Sequence, residues 1–169
     1  MKICMIGTGY VGLVSGTCFA DIGHQVYCVD KDVSKINKLN SGISPIYEPG
    51  LDELIQKNHK AKRLYFTSDL KKAVTASDII FICVGTPNIK GSLKVNLSFV
   101  FNCTKEILSI TKKKKIIVTK STVPVGTGDQ IEKIIKKKRK LFSVISNPEF
   151  LREGEAIRDF RYPDRIVIG

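Results

Sequence analysis

Three short segments hold residues whose types and spacing could do chemistry. The first is Gly7-Thr8-Gly9-Tyr10-Val11-Gly12. A G-x-G-x-x-G string alone is weak evidence. Here it follows the short apolar run Lys2 to Ile6 and opens a run of small and apolar residues, Val11 to Ile22. Asp30 closes the next apolar run, Gln25 to Val29. Strand, glycine turn, helix and an acid at the end of the second strand are the full context of a dinucleotide site. Gly7 allows the tight turn, Gly9 leaves room for a pyrophosphate against the backbone, and Gly12 lets helix and strand pack closely. The helix N-terminus offers free N–H groups and a positive dipole end to phosphates. Asp30 can accept hydrogen bonds from ribose hydroxyls and would repel a 2′-phosphate, which favours NAD over NADP. Glycines serving only a tight turn are the alternative.

The other two segments are Gly85-Thr86-Pro87 and Lys120-Ser121-Thr122-Val123-Pro124-Val125-Gly126-Thr127. Each follows a run expected to be a strand, Asp78 to Val84 and Lys115 to Thr119. Ligands of open parallel sheets bind at the carboxyl ends of the strands, so both loops should border one crevice. As isolated turn residues they would be unremarkable.

The elements that must position these residues alternate. Helices are expected over Val11–Ile22, Val33–Leu39, Leu51–Lys57, from the Ser68-Asp69 cap to about Ala76, over Leu97–Ile110 and over Gly128–Lys137. Further strands are expected over Arg63–Thr67, Leu141–Ile145 and Arg165–Ile168, with loops at Ser44–Gly50 and Ser146–Glu149. Ile79 to Val84 is apolar on both faces, as in a central strand of a parallel sheet covered on both sides. Together these imply an α/β fold of Rossmann type: a doubly wound, mostly parallel sheet with helices on both faces. At 169 residues, one domain is expected, large enough to need no disulfide or metal staple.

Composition narrows the classes. The apolar fraction is 43%, and the longest unbroken apolar stretch, Ile79 to Val84, is far short of the roughly 20 residues of a membrane helix. The N-terminal apolar run breaks at Gly7, too early for a signal peptide. The five cysteines form no C-x-x-C pair, and Cys4, Cys28 and Cys83 sit in strand-like runs. Buried reduced thiols of a cytoplasmic protein are expected, and no metal site. The net charge of +12 is concentrated in Lys112–Lys115 and Lys136–Lys140. No aromatic residues interleave these runs, so solvated cations near helix C-termini are expected rather than a nucleic-acid surface.

The sequence resembles the N-terminal domain of the UDP-glucose/GDP-mannose dehydrogenase family, on the side of its UDP-glucose 6-dehydrogenases. The carriers are Lys2 to Val14, Pro45-Ile46-Tyr47-Glu48-Pro49-Gly50-Leu51, Val84 to Pro87 and Lys120 to Thr127. Asn147-Pro148-Glu149-Phe150-Leu151-Arg152-Glu153-Gly154, Asp159-Phe160 and Pro163 to Gly169 complete them. The resemblance implies oxidation of the C6 hydroxymethyl of UDP-glucose to UDP-glucuronate with two NAD, through a thiohemiacetal and a thioester on a cysteine. GDP-mannose and UDP-N-acetylmannosamine are the rival substrates, and a non-catalytic NAD-binding module is the rival role.

Carried over residue by residue, the resemblance implies cofactor contacts at Gly7, Gly9, Tyr10, Val11, Gly12, Asp30, Lys35, Thr86, Ser121 and Glu153. It implies that Thr122 and Glu149 orient or activate the hydrolytic water, and that Glu149, Phe150, Leu151, Arg152 and Glu153 meet the sugar nucleotide. The family's cysteine sits in a Gly-rich segment that these 169 residues do not contain. Its central dimer-forming helix and UDP-binding domain are expected to be missing too. The resemblance thus implies a cofactor-binding domain, Met1 to Gly169, that binds NAD without turnover on its own, and a homodimer for the whole enzyme.

Overall fold

The two faces of each strand carry different hydrophobic sets, and the fold follows from covering both. A computed structural model describes residues 1–92, 94–138 and 140–169, leaving aside the side chain of residue 137. Arg139 of the second basic run thus lies outside the described residues. Six strands form one sheet: β1 (Lys2–Ile6), β2 (Gln25–Val29), β3 (Leu64–Thr67), β4 (Ile79–Ile82), β5 (Lys115–Thr119) and β6 (Phe142–Ser146). Their order is β3-β2-β1-β4-β5-β6 and every pairing is parallel. The strand order reverses between β1 and β4, and such a switch point opens a crevice at the strands' carboxyl ends.

Along β1, Ile3 and Met5 enter one core while Cys4 and Ile6 enter the other. The first core is closed by α1 (Tyr10–Asp21), α2 (Val33–Asn40), α3 (Leu51–Lys60) and α7 (Ala156–Arg161), through Leu13, Val14, Ile36, Leu39, Leu51, Ile55 and Ala156. The second is closed by α4 (Leu70–Ala76), α5 (Ser98–Ile110) and α6 (Thr127–Ile135), through Val74, Val100, Ile107, Ile131 and Ile135. Asp32 and Asp69 cap α2 and α4 by accepting from the amides of Lys35 and Lys72. All five cysteines are free and buried. Burial pushes the thiols up, to about 12 for Cys18, Cys83 and Cys103. No described helix is long and apolar enough to cross a membrane.

Two expectations fail. Arg165–Ile168 is not a strand. The segment is exposed, and its backbone meets the sheet through the pair of bonds that Gly169 exchanges with Ser146, too little for a ladder. The helix α7 was not foreseen. It is short, and it forms because Ala156, Ile157 and Phe160 cover α1, with Phe160 edge-on to Phe19 at 5.0 Å. Asp21 anchors the same corner, taking Lys57 of α3 at 2.7 Å and Arg161 of α7 at 2.8 Å.

The basic runs resolve into different jobs. Lys112, Lys113 and Lys114 are exposed, as expected, but Lys115 is buried. Its Nζ donates to the carbonyls of Thr75 and Ser77 at the end of α4. Lys138, in a 3-10 turn after α6, likewise donates to the carbonyl of Leu108 in the last turn of α5. Both cations sit where orphan carbonyls and the helix dipole favour them.

The tightest packing lies at the β1–α1 turn. A Cβ built on Gly12 would stand 1.9 Å from the Gly7 carbonyl oxygen and 3.0 Å from the Cys83 Cβ. Gly12→Ala should therefore push α1 off the sheet and destabilise the fold by about 2 kcal/mol or more, comparable to severe overpacking. Thermal unfolding should show a Tm several degrees lower. An unchanged Tm would mean that α1 does not need this contact.

Candidate functional site

The turn after β1 is built around one peptide. Gly7 has φ +103°, which side-chain-bearing residues rarely adopt, and a Cβ there would strike the Cys83 carbonyl oxygen at 2.6 Å. Its amide donates to the Val29 carbonyl at 2.8 Å, tying the turn to β2. Gly12 then lies against the Gly7 carbonyl, which aims the N-terminus of α1 out over the sheet edge. That N-terminus is bare. Gly9 is the N-cap and supplies no side-chain bond, and no acid stands in the first turn. Nothing lies within 4 Å of a Cβ built on Gly9, so the space above it is open. Uncapped amides, a positive dipole end and an open approach fit an anionic pyrophosphate.

Asp30 stands beside this cradle, just beyond β2. Its Oδ2 accepts from the Thr8 amide at 3.0 Å, the Thr8 hydroxyl at 2.7 Å and Lys35 Nζ at 3.1 Å. Its Oδ1 accepts from the Asp32 amide at 3.1 Å. Burial alone would raise the pKa, but the Thr8 hydroxyl and the other donors outweigh it and hold the carboxyl at about 2. The group is a fixed anion at neutral pH. Lys35, expected from the resemblance, sits on it directly.

The two other loops meet each other across the strand ends. Thr86 Oγ1 donates to the Thr122 carbonyl at 2.9 Å. Ser121 is buried, and its hydroxyl donates to the Val84 carbonyl at 2.7 Å, so it braces the end of β4. Thr122 Oγ1 reaches Glu149 Oε1 at 3.3 Å, bringing together the two side chains read as a pair. Glu149 Oε2 is buried and has no hydrogen-bond partner among the described residues. Lys120, which had been given no role, is buried behind them with its Nζ 3.2 Å from Asn147 Oδ1. Burial lowers its pKa, while the charge of Glu149 acts in the opposite sense.

The segment after Glu149 is divided. Phe150 is exposed, with the Arg165 guanidinium 5.3 Å from its ring centroid. Leu151 packs against the first core. Arg152 is turned onto α7, meeting Asp159 at 2.7 and 3.0 Å and Glu155 at 3.1 Å. Glu153 is exposed, and its charge helps raise the Tyr10 phenol. Tyr10 itself, in the first turn of α1, donates to Glu48 and accepts from the Gly154 amide at 2.6 Å. Burial and the bond to Glu48 push its pKa up to about 12. Glu48 was read only as part of a loop motif. The one available signal was an acid in a turn segment otherwise composed of Pro, Ile, Tyr and Gly.

A separate cleft of about 500 Å³ opens at the opposite edge of the sheet, lined by Met1, Asp78, Ile79, Lys114, Lys140 and Phe142 among others. It lies between strand starts and contains neither glycine turn nor carboxylate pair. The glycine turn, Asp30 and the Thr122–Glu149 pair stand at the other edge, where the strand order reverses.

The sequence matches the UDP-glucose/GDP-mannose dehydrogenase family, NAD binding domain, over residues 1–169. A UDP-glucose 6-dehydrogenase of Rhizobium meliloti is 58% identical over 171 residues, covering 100% of this chain and 39% of that relative. The ternary complex of GDP-mannose dehydrogenase from Pseudomonas aeruginosa superimposes with a TM-score of 0.92 at 42% identity, over 100% of this chain and 41% of that one. A UDP-glucose dehydrogenase from Pyrobaculum islandicum also gives 0.92, at 39% identity, over 99% of this chain and 40% of that one. The chain thus spans about 39% of the length of its curated relative. Glycine turn, fixed acid and loop pair all fall within that match, and the chain belongs to the UDP-glucose/GDP-mannose dehydrogenase family, whose NAD binding domain it carries.

Proposed function

We propose that this chain binds NAD across the carboxyl edge of its sheet and serves as the cofactor half of an enzyme oxidising UDP-glucose to UDP-glucuronate. The carrying observation is the bare N-terminus of α1 beside a carboxylate already held ionised by Thr8. The substrate assignment is supported by the 58% identity to a UDP-glucose 6-dehydrogenase. The 42% identity to a GDP-mannose dehydrogenase keeps that sugar nucleotide as the second reading.

In this reading Gly7, Gly9, Val11 and Gly12 shape and supply the backbone cradle for the pyrophosphate. Asp30 accepts from the adenosine ribose hydroxyls in place of part of its Thr8 and Lys35 bonding. Thr86, Ser121 and Glu153 border the far end of the groove, with Ser121 acting through its brace on Val84. Bound NAD supplies the hydride acceptor. Thr122 positions a water and Glu149 accepts its proton as the water attacks a thioester, the bare Oε2 being a ready acceptor. Phe150, Leu151 and Arg152 shape the wall that meets the sugar nucleotide, Arg152 by fixing α7. None of the five thiols here can be the nucleophile, because all are buried and burial raises their pKa. The nucleophile comes from a second part of the enzyme, and a cytoplasmic homodimer is the expected assembly.

Calorimetric titration of the chain should detect NAD with an affinity at least tenfold above that for NADP, and Asp30→Ala should weaken NAD by about tenfold or more, the scale of a charged hydrogen bond. NADP binding more tightly would sink the assignment. The carboxyl of Asp30 is depressed to about 2, so it loses its charge only as pH falls through roughly 4 to 2. NAD affinity should accordingly stay flat between pH 8 and 5, and a fall within that range absent from Asp30→Asn would contradict the fixed anion. In a complete enzyme carrying this domain, Glu149→Gln should slow thioester hydrolysis by 10²- to 10⁴-fold, seen as a covalent adduct by intact mass, whereas undiminished turnover would remove Glu149 from the step. The 169-residue chain alone should produce no NADH from UDP-glucose.

A further inference from the structure

One buried carboxylate joins the two ends of the groove and has no part in the reading above. Glu48 is 6% exposed, in the loop between α2 and α3. Its Oε2 accepts from the Tyr10 hydroxyl and from the Gly154 amide at 2.9 Å. Its Oε1 accepts from the Ile157 amide at 3.2 Å. The Gly154 amide also reaches Tyr10 Oη at 2.6 Å, which closes a three-membered ring of bonds. A buried carboxylate is stable only when donors surround it, and these donors come from two places far apart in the chain. Tyr10 belongs to the first turn of α1, where the cradle amides are. Gly154 and Ile157 begin α7 and end the segment that starts at Glu149. The raised pKa of Tyr10 keeps the phenol protonated as the donor.

We infer that Glu48 is a positioning residue that latches the Glu149–Gly154 segment to the glycine turn, so that occupation of the cradle and placement of Glu149 and Glu153 are coupled. The inference rests on the cofactor reading above. Its physical content is specific. Without an anion at Glu48, the Ile157 amide loses its acceptor, the Gly154 amide keeps only Tyr10 Oη and Tyr10 loses its acceptor, which leaves the segment to the apolar contacts of Leu151, Ala156, Ile157 and Phe160 with the first core and to the outlying bonds of Glu149 to Thr122 and of Arg161 to Asp21. With the latch intact, a cofactor that fixes the first turn of α1 also fixes Tyr10 and, through it, Gly154.

Amide hydrogen exchange of the 169-residue chain, with and without saturating NAD, tests this. In the unchanged chain the amides of Gly154 and Ile157 should exchange slowly, and NAD should slow them further. Glu48→Ala should speed both at least tenfold without NAD, leave β1 to β5 protected, weaken NAD severalfold and abolish the extra protection that NAD confers. Tyr10→Phe keeps the carboxylate and its amide bonds, so Gly154 and Ile157 should stay slow while the NAD-dependent increment falls. Glu48→Gln, which retains an acceptor, should restore part of the protection. A merely structural glutamate would alter exchange without touching the increment. Unchanged exchange at both amides in Glu48→Ala, or a full NAD increment in that variant, overturns the latch. If Glu48→Ala fails to fold, Glu48→Gln and Tyr10→Phe decide by the same two readouts. Failure of the unchanged chain to bind NAD overturns the cofactor reading and the coupling together, whereas exchange without NAD still reports whether Glu48 holds Gly154 and Ile157.

Discussion

The site depends on how closely α1 approaches the end of β1. The Gly7 carbonyl lies where a Cβ of residue 12 would be, and the Cys83 carbonyl lies where a Cβ of residue 7 would be. Two strands and a helix thus converge on a point with no room for side chains. The contact sets the direction of α1, and direction matters because the helix offers its amides and dipole only along its axis. A helix standing even a methyl group farther out would present the same amides to the wrong place. The small residues of α1 serve the same end: a Cβ on Gly16 would meet Cys28 Sγ at 2.7 Å, so the helix lies close to the sheet for two turns.

Much of this was legible in the sequence. Every strand of the sheet overlaps a run expected to be a strand, β6 running one residue later than expected, because the apolar runs of β1 and β4 report directly on two covered faces. The cradle was legible because its parts are local: turn, cap and acid follow one another within one βαβ unit. Thr122 and Glu149 were paired through resemblance, and the structure sets their side chains 3.3 Å apart. What the residues did not display is non-local. The partners of Glu48 are 38, 106 and 109 positions away, and no pattern of period 2 or 3.6 encodes them. Lys115 looked like one more surface cation of a basic run, yet its Nζ is held by carbonyls 38 and 40 residues earlier. The β-branched run Ile166–Ile168 is a true local signal, but only the pair of bonds between Gly169 and Ser146 joins its end to β6. α7 is the reverse case, a helix too short to announce itself and stabilised by packing on Phe19.

Charge in this molecule is arranged by position more than by total. The excess of lysines gives +12, but the cations that matter structurally sit on helix C-termini or on single acids: Lys115 on α4, Lys138 on α5, Lys57 on Asp21 and Lys35 on Asp30. The exposed lysines are spread over the surface, with Lys112 to Lys114 at the amino edge of the sheet, Lys31 just beyond β2 and Lys90 and Lys94 in the loop after β4. Such a field would draw anions to the whole surface, while the α1 terminus beside Asp30 offers uncapped amides under an open approach.

Asp30, Glu48 and Glu149 differ in how completely their oxygens are satisfied. Asp30 accepts four hydrogen bonds and Glu48 accepts three, so each is locked in one geometry and neither has an open lone pair directed at a passing proton. Glu149 accepts one long bond, from Thr122, and its other oxygen is shielded from water without a partner. An unsatisfied buried acceptor is costly, and such groups persist where a ligand or water completes them. Lys120 stands behind it, buried and hydrogen-bonded to Asn147, close enough for the two charges to interact. Asp30 and Glu48 are therefore fixtures of the scaffold, Asp30 tied to Thr8 and Lys35 and Glu48 to Tyr10 and the amides of Gly154 and Ile157. Glu149 keeps one oxygen without a partner among the described residues, with Thr122 on its other oxygen and the Lys120 charge nearby.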